Sequence, residues 1–144
     1  MNKQQIRARQ RARELAVQAV YQSIMANQPM VEVEAHFQPV INKDKMDVSY
    51  FVKLIKGVEA NLQEIDTAYT PYLDRKPEEL SPVEKSILRL ASFELIFCPD
   101  IPFKVVLEEA VLLAKTFGAQ DSFRYVNGVL NQLAGKVRVY EKAK

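Results

Sequence analysis

The sequence predicts an all-α protein, on the strength of two observations. Apolar residues recur at steps of three and four over most of the 144 residues, and only short connections separate these segments. None of the segments has a convincing strand pattern. The helices are expected to form a single domain of two small bundles, divided near residues 71–80 into a sub-bundle of about residues 1–75 and another of about residues 76–144.

Three helices are predicted in the first half of the chain. Arg13–Gln28 carries one apolar stripe, and Pro29 ends it. Residues 30–46 fit both an alternating and a helical pattern, and a short helix is favoured. The longest pattern follows an N-cap candidate at Asp47 and predicts one uninterrupted helix. Its apolar positions are Val48, Phe51, Val52, Ile55, Val58, Leu62, Ile65 and Tyr69.

Two more helices are predicted between residues 81 and 118. Ser81-Pro82-Val83-Glu84 is a capping box with proline at the first helical position, and Pro99 requires this helix to stop by Cys98. The next helix is expected to begin at Pro102 and to continue to Phe117. Gly118 is the expected left-handed residue that ends it.

A last helix is predicted after residue 120, capped by Asp121 or Ser122. Its apolar positions run from Phe123 to Val137 at helical spacing. Gly128 lies inside this helix, and the lack of a side chain there predicts close contact with a neighbouring helix.

The net charge of +2 conceals an uneven distribution along the chain. Residues 1–13 contain five basic residues and no acid: Lys3, Arg7, Arg9, Arg11 and Arg13. Residues 136–144 carry Lys136, Arg138, Lys142 and Lys144 against Glu141, and the segment between the two ends holds 11 basic and 17 acidic side chains. This pattern fits a protein with one surface for a polyanion and another for a basic protein. It fits as well a protein whose charged termini only aid solubility.

Several classes of protein are disfavoured by what the sequence lacks. Cys98 has no partner for a disulfide, no secretory leader opens the chain, and no apolar stretch approaches the roughly 20 residues that cross a bilayer. A cytoplasmic protein without a membrane segment is expected. Cys98 itself, between Phe97 and Pro99, is expected to be a small hydrophobic residue at a helix end.

Catalytic and metal sites are not expected either. His36 is the only histidine and has no cluster of ligands near it, and the four glycines do not form a phosphate-binding loop. Glu78 with Glu79, and Glu108 with Glu109, are acidic neighbours that point in different directions on a helix. We therefore expect neither an enzyme nor a cofactor or metal.

The arginine-rich N-terminus is the strongest functional signal. Guanidinium groups bind phosphates and stack on bases, and Arg7, Arg9, Arg11 and Arg13 occupy alternate positions. On a helix Arg7 and Arg11 would share one side and Arg9 and Arg13 another, so a flexible arm ordered by RNA suits the spacing better. Single-stranded RNA is favoured over a duplex, because no helix-turn-helix carries these arginines on its second helix.

Four blocks of the sequence resemble the NusB family of transcription antitermination factors. They are residues 11–21 (RARELAVQAVY), 80–91 (LSPVEKSILRLA), 100–106 (DIPFKVV) and 109–130, which contains FG, DS and YVNGVL in the order and spacing typical of the family. The resemblance covers nearly the whole chain and is weakest over residues 28–46. It implies two perpendicular three-helix bundles and no cofactor.

The resemblance also implies partners and a set of contact residues. The partners are single-stranded boxA RNA, the ribosomal small-subunit protein NusE, and the transcription elongation complex with other Nus factors. By resemblance the RNA-binding residues are Lys3, Arg7, Arg9, Arg11, Arg13, Asp121, Ser122 and Tyr125, and the protein-binding residues are Glu78, Glu84 and Tyr21. The chain departs from the family at Glu108, where an asparagine is usual, and in a less dense arginine run.

Two alternatives stay open on the sequence alone. The RNA-binding portion of ribosomal RNA cytosine methyltransferases is similar to NusB, but such an enzyme needs a cofactor-binding α/β domain that these residues do not provide. A purely protein-binding helical adaptor is the other alternative.

Overall fold

The protein, described here as a computed structural model, is all-α over residues 1–142, the part of the chain that the structure describes. Lys144, counted above among the basic C-terminal residues, lies outside this range. Over residues 1–142 there are eight α-helices and no strand. The helices are α1 (Lys3–Ala26), α2 (Met30–Phe37), α3 (Val48–Ala60), α4 (Leu62–Tyr69), α5 (Pro82–Phe97), α6 (Phe103–Phe117), α7 (Ser122–Val137) and α8 (Val139–Lys142).

Helix α1 begins ten residues earlier than the sequence pattern predicted, so the expectation of a flexible N-terminal arm was wrong. Asn2 caps the helix: its side chain accepts a hydrogen bond from the backbone N–H of Gln5 (2.8 Å), and the Gln5 side chain accepts one from the backbone N–H of Asn2 (2.9 Å). This reciprocal pair satisfies two backbone donors that would otherwise be free. The arginine-rich segment is therefore a regular helix.

The helix predicted over residues 48–69 is two helices, which corrects the expectation of an uninterrupted one. Asp47 caps α3 as predicted, accepting from the backbone N–H of Tyr50. The break lies at Asn61, whose side-chain amide and backbone N–H both donate to the carbonyl of Gly57. Side-chain amides compete in this way with the regular helical ladder, and the backbone at Asn61 has non-helical angles, φ −121° and ψ 24°, before α4 begins at Leu62.

Helix α5 is the centre of the fold. The predicted capping box is present, with Ser81 and Glu84 bonded to each other's backbone, and the helix ends at Phe97 before Pro99. It packs against α1, α3, α4, α6 and α7, and 11 of its 16 residues are buried. The buried apolar side chains form one cluster that includes residues of both halves of the chain. The division into two perpendicular bundles remains a prediction.

Three expectations about α6 and α7 were wrong. Gly118 ends α6 with φ −89° and ψ 170°, an extended conformation, although a left-handed one was expected. Gly128 is exposed, and a side chain there would meet nothing within 4 Å, so it does not mark a helix contact. Asp121 occupies the N-cap position of α7, but its side chain accepts no capping hydrogen bond.

One residue of the C-terminal basic segment, Arg138, has a structural role. Arg138 is buried and donates hydrogen bonds to the carbonyls of Glu94, Leu95, Cys98 and Ile101 at the end of α5. Among these carbonyls, that of Leu95 has no intrahelical partner because the residue four positions later is Pro99, and those of Cys98 and Ile101 follow the last residue of the helix. Arg138 therefore holds the end of α5, and is not part of a free basic surface.

Cys98 is buried at the end of α5, as predicted, and burial raises the pKa of its thiol. His36 is exposed. Among residues 1–142 there is no group of three or more residues placed to hold a metal ion. Over the same residues, no helix combines the length and apolar character needed to span a membrane.

Candidate nucleic-acid interface

The exposed face of α1 presents three of the five N-terminal basic side chains. Lys3, Arg7 and Arg11 follow each other at steps of four, so their side chains lie on one side of the helix. Lys3 and Arg7 are exposed, and Arg11 is partly exposed. Arg7 also forms an ion pair with Glu14 on the same face (3.2 Å). This surface, called below the basic face, consists of Lys3, Arg7 and Arg11.

Arg13, predicted to bind RNA, is instead buried between helices. Its guanidinium donates to both carboxylate oxygens of Glu94 on α5 at 3.0–3.2 Å, and the two side chains are 5% and 2% exposed. The Tyr50 hydroxyl donates to the same carboxylate. Burial lowers the pKa of Arg13, but the Glu94 charge and hydrogen bonds outweigh it, and the net pKa is raised. Arg13 therefore stays charged and is not accessible to a ligand.

Arg9 is intermediate in exposure between the basic face and the buried Arg13. Its guanidinium is 4.4 Å from the centre of the Tyr50 ring and 3.7 Å from Asp47, and its side chain is 29% exposed. Burial and the nearby Glu94 charge raise the pKa of Tyr50, so the ring beneath Arg9 stays neutral. The helix thus divides the arginines as its geometry predicted, with Arg7 and Arg11 on one side and Arg9 and Arg13 on the other.

The second group of predicted RNA-binding residues lies at the start of α7. Asp121 is exposed and has a left-handed backbone, with φ 71°. Ser122 is buried, and its hydroxyl donates to the Glu84 carboxylate (3.0 Å). Asp121 and Tyr125 are therefore more accessible to a ligand than Ser122.

Tyr125 is half-buried, and one face of its ring is covered by a guanidinium that sequence reasoning missed. The Arg75 guanidinium lies 4.0 Å from the centre of the ring. Burial raises the pKa of the Tyr125 hydroxyl. Arg75 is 50 residues away in sequence, and no local pattern connects it with Tyr125. Together they form a flat surface of aromatic ring and guanidinium that suits stacking on a nucleotide base.

The three predicted protein-binding residues differ in accessibility. Glu84 is only 8% exposed, and its carboxylate is occupied by the capping box and by Ser122. Glu78 is exposed. Tyr21 is 38% exposed and lines a cleft of about 470 Å³ with apolar side chains of four helices. The apolar lining consists of Val17, Tyr21, Met25, Phe37, Val83 and Phe117.

The structure brings the α7 residues next to the protein-binding candidates and separates both from the basic face. Tyr21 shares its cleft with Val83, which precedes Glu84, and Glu84 is bonded to Ser122 at the start of α7. Arg7 and Tyr21 are 14 residues apart on one helix, or about 21 Å at 1.5 Å per residue. A ligand that touches both groups must therefore extend along α1.

Comparison with known proteins decides the family. A sequence profile of the NusB family matches residues 10–135. The transcription antitermination protein NusB of Legionella pneumophila (strain Corby) is 48% identical over 141 residues, which are 98% of this chain and 96% of that protein. The corresponding protein of Proteus mirabilis (strain HI4320) is 49% identical over 131 residues, which are 91% and 96% of the two chains. The chain belongs to the NusB family.

Solved NusB structures share the fold. T. maritima NusB superposes with a TM-score of 0.77 at 28% identity, covering 88% of this chain and 90% of that one. A chain in the crystal structure of the antitermination factors NusB and NusE in complex with double-stranded RNA gives a TM-score of 0.79 at 27% identity, covering 89% and 96%. The NusB resemblance and the all-α class predicted from the sequence are thereby confirmed.

Proposed function

We propose that this NusB-family chain is a transcription antitermination factor that binds boxA-type RNA together with the ribosomal protein NusE. The observation that carries the proposal is the basic face of α1, where Lys3, Arg7 and Arg11 are presented on a rigid helix. The proposed setting is the cytoplasmic elongation complex with other Nus factors, in support of ribosomal RNA transcription. The proposed role requires no cofactor and no catalysis.

The proposed RNA site has two parts, the basic face of α1 and the start of α7. The basic face contacts phosphates, which supplies affinity without sequence preference. The exposed Arg75 guanidinium, packed on the Tyr125 ring, stacks on a base, and Asp121, four residues before Tyr125, accepts hydrogen bonds from base edges. Arg13 belongs to the fold in this proposal, and Arg9 supports the helix on Tyr50. A single strand is preferred because its bases are free to stack on the pair formed by Arg75 and Tyr125.

The protein partner is proposed to occupy the cleft beside Tyr21. Its apolar walls can receive an apolar anchor, and the exposed carboxylate of Glu78 suits a basic ribosomal protein. Glu84 contributes indirectly in this arrangement, because it holds the starts of α5 and α7 together. The RNA-reading residues of α7 and the partner cleft would thus share one end of the molecule.

A salt titration tests the RNA part of the proposal. For single strands, each neutralised phosphate contributes about −0.7 to the slope of log K against log salt. Changing Lys3, Arg7 and Arg11 to Gln should therefore flatten the slope by up to about 2 units for a boxA-type strand. A scrambled strand should weaken about equally. The matched control changes three exposed lysines elsewhere, Lys53, Lys56 and Lys136, to Gln and should leave the slope nearly intact.

Each titration should be repeated with NusE and with a duplex of the same sequence. Preference for the single strand, increased by NusE, supports the full proposal. Stronger binding of the duplex would contradict the preference for a single strand while leaving the basic face as the phosphate site. If the triple variant binds both RNAs like the unchanged protein but still binds NusE, the protein-binding adaptor becomes the better interpretation.

A further inference from the structure

The turn between α2 and α3 carries two lysines next to the basic face of α1. Residues 43–45 form the turn, and the side chains of Lys43 and Lys45 are exposed. Lys45 and Arg11 line the same shallow cleft of about 180 Å³. Neither the arginine pattern of α1 nor the residues of α7 include this loop, so its lysines are additional to the RNA site proposed above.

The loop is held firmly against α1. Its main anchor is a hydrogen bond from the backbone N–H of Asp47 to the carbonyl of Ala8 on α1 (3.1 Å), and Met46 is buried beneath it. Within the loop, the carbonyl of Asn42 accepts from the backbone N–H groups of Lys45 and Met46. The backbone of the turn is thus held in place against α1, with Lys45 beside Arg11, which reduces the conformational entropy lost on binding.

The charges around the cleft favour an anionic ligand. Among the ion pairs found over residues 1–142, none includes Arg11, Lys43 or Lys45. Two carboxylates oppose them: Asp44 lies in the same turn, and Glu14 lines the cleft, where it is already paired with Arg7. Arg11 and Lys45 at the cleft, together with Lys43 in the same turn, are thus three cations outside these ion pairs, against one unpaired carboxylate, that of Asp44.

We infer that Lys43 and Lys45 extend the basic face into a track for the phosphates of an RNA strand, running from Arg7 and Arg11 on α1 onto the α2–α3 turn. The inference rests on the proposed function. Continuity with the basic face identifies the ligand as the same RNA, since Arg11 belongs to both surfaces. The track leads sideways from α1, so it binds nucleotides beyond those that reach Tyr125. Phosphate contacts of this kind add affinity for any sequence.

Binding of RNAs of increasing length tests this track. Changing both Lys43 and Lys45 to Gln should flatten the salt slope by up to about 1.4 units for a long single strand that contains a boxA-type element, with equal weakening of a scrambled strand. For a short strand limited to the element, the change should be smaller. The control changes Lys56 and Lys136 to Gln, two exposed lysines outside the cleft, and should leave both measurements unchanged.

Three results would overturn the inference. The first is a salt slope for the long strand that is the same in the variant of Lys43 and Lys45 as in the control, while the variant of Lys3, Arg7 and Arg11 still has a flatter slope. The proposed function then stands without the track. The second is a loss of NusE binding with RNA binding intact, which would make the turn a protein surface. The third is unchanged RNA binding in every variant, which would remove the proposed function as well. Melting temperatures confirm that each variant is folded.

Discussion

Arg11 and Arg13 are two residues apart in sequence and have opposite surroundings. Arg11 is partly exposed at a shallow cleft, and its charge is available to a ligand. Arg13 is buried against Glu94 and Tyr50, where its charge is satisfied inside the protein. Two residues correspond to about 200° around an α-helix, so alternate arginines cannot share a face. The side of the helix, and not the residue type, decides which arginine is free to bind.

The same contrast holds for the acidic residues near the partner cleft. Glu78 is exposed, whereas Glu84 is buried and bonded to the backbone at Ser81 and to the Ser122 hydroxyl. Glu84 can therefore affect a partner through the position of α7, and Glu78 through its charge. In each pair, Arg11 with Arg13 and Glu78 with Glu84, substitution of the buried residue should lower stability, and substitution of the exposed residue should weaken binding.

The largest effect is expected for Arg13→Met, which removes one partner of the buried ion pair at similar volume. Glu94 would be left buried without a counter-charge, and such a change costs about 3–5 kcal/mol. Urea unfolding measures this loss. The salt slope of RNA binding, measured on the folded fraction, should not change. The double variant Arg13→Met with Glu94→Gln should recover part of the stability, and a double variant no more stable than the single one would contradict a paired role.

A smaller effect is expected for Glu84→Lys, at about 2 kcal/mol, because it disrupts the capping box and leaves Ser122 without its buried acceptor. Glu84→Gln should retain most of the stability, since its amide oxygen can accept from the backbone N–H of Ser81 and its NH2 group can donate to the Ser122 hydroxyl. Glu78→Lys should change the free energy of unfolding by less than about 0.5 kcal/mol but weaken NusE binding. Equal NusE affinity for Glu78→Lys and the unchanged protein would remove Glu78 from the interface.

The sequence predicts local features of this fold better than long-range ones. The caps at Asp47 and Ser81 were correct because each depends on a few neighbouring residues. The start of α1 could have been predicted from Asn2 and Gln5, a capping pair three residues apart. The pairing of Arg13 with Glu94 spans 81 residues, and only the packing of α1 on α5 brings them together.

The break at Asn61 shows a different limit. The apolar spacing of α3 and α4 is continuous across it, so periodicity alone predicts one helix, and a single amide side chain decides otherwise. For the candidate site, the sequence identified the basic residues of α1 but not which of them are buried. The sequence did not predict a role for Arg75 or for the α2–α3 turn, because the residues that they contact, Tyr125 and Arg11, belong to other helices.

Gly57 in α3 and Gly128 in α7 extend the contrast between buried and exposed positions to uncharged residues. A methyl group at Gly57 would come within 2.2 Å of the Phe93 ring, whereas at Gly128 it would meet open space. Gly128→Ala should therefore raise the free energy of unfolding by about 1 kcal/mol, the difference in helix propensity, and Gly57→Ala should lower it. Urea midpoints compare the two variants. Destabilisation by Gly128→Ala would indicate a helix contact at this position after all.

The smallest effect is expected at Arg9, which tests the boundary between the two groups of arginines. Its guanidinium lies over the Tyr50 ring and near Asp47, and an interaction of this kind at a partly exposed site contributes about 0.5 kcal/mol. Arg9→Gln should lower the free energy of unfolding by that amount and leave the salt slope of RNA binding unchanged. Arg11→Gln, the matched variant, should do the reverse, with no loss of stability and a slope flatter by about 0.7. If Arg9→Gln also flattens the slope by about 0.7, then Arg9 leaves Tyr50 when RNA binds. Arg13 would then be the one arginine of the N-terminal segment that serves the fold alone.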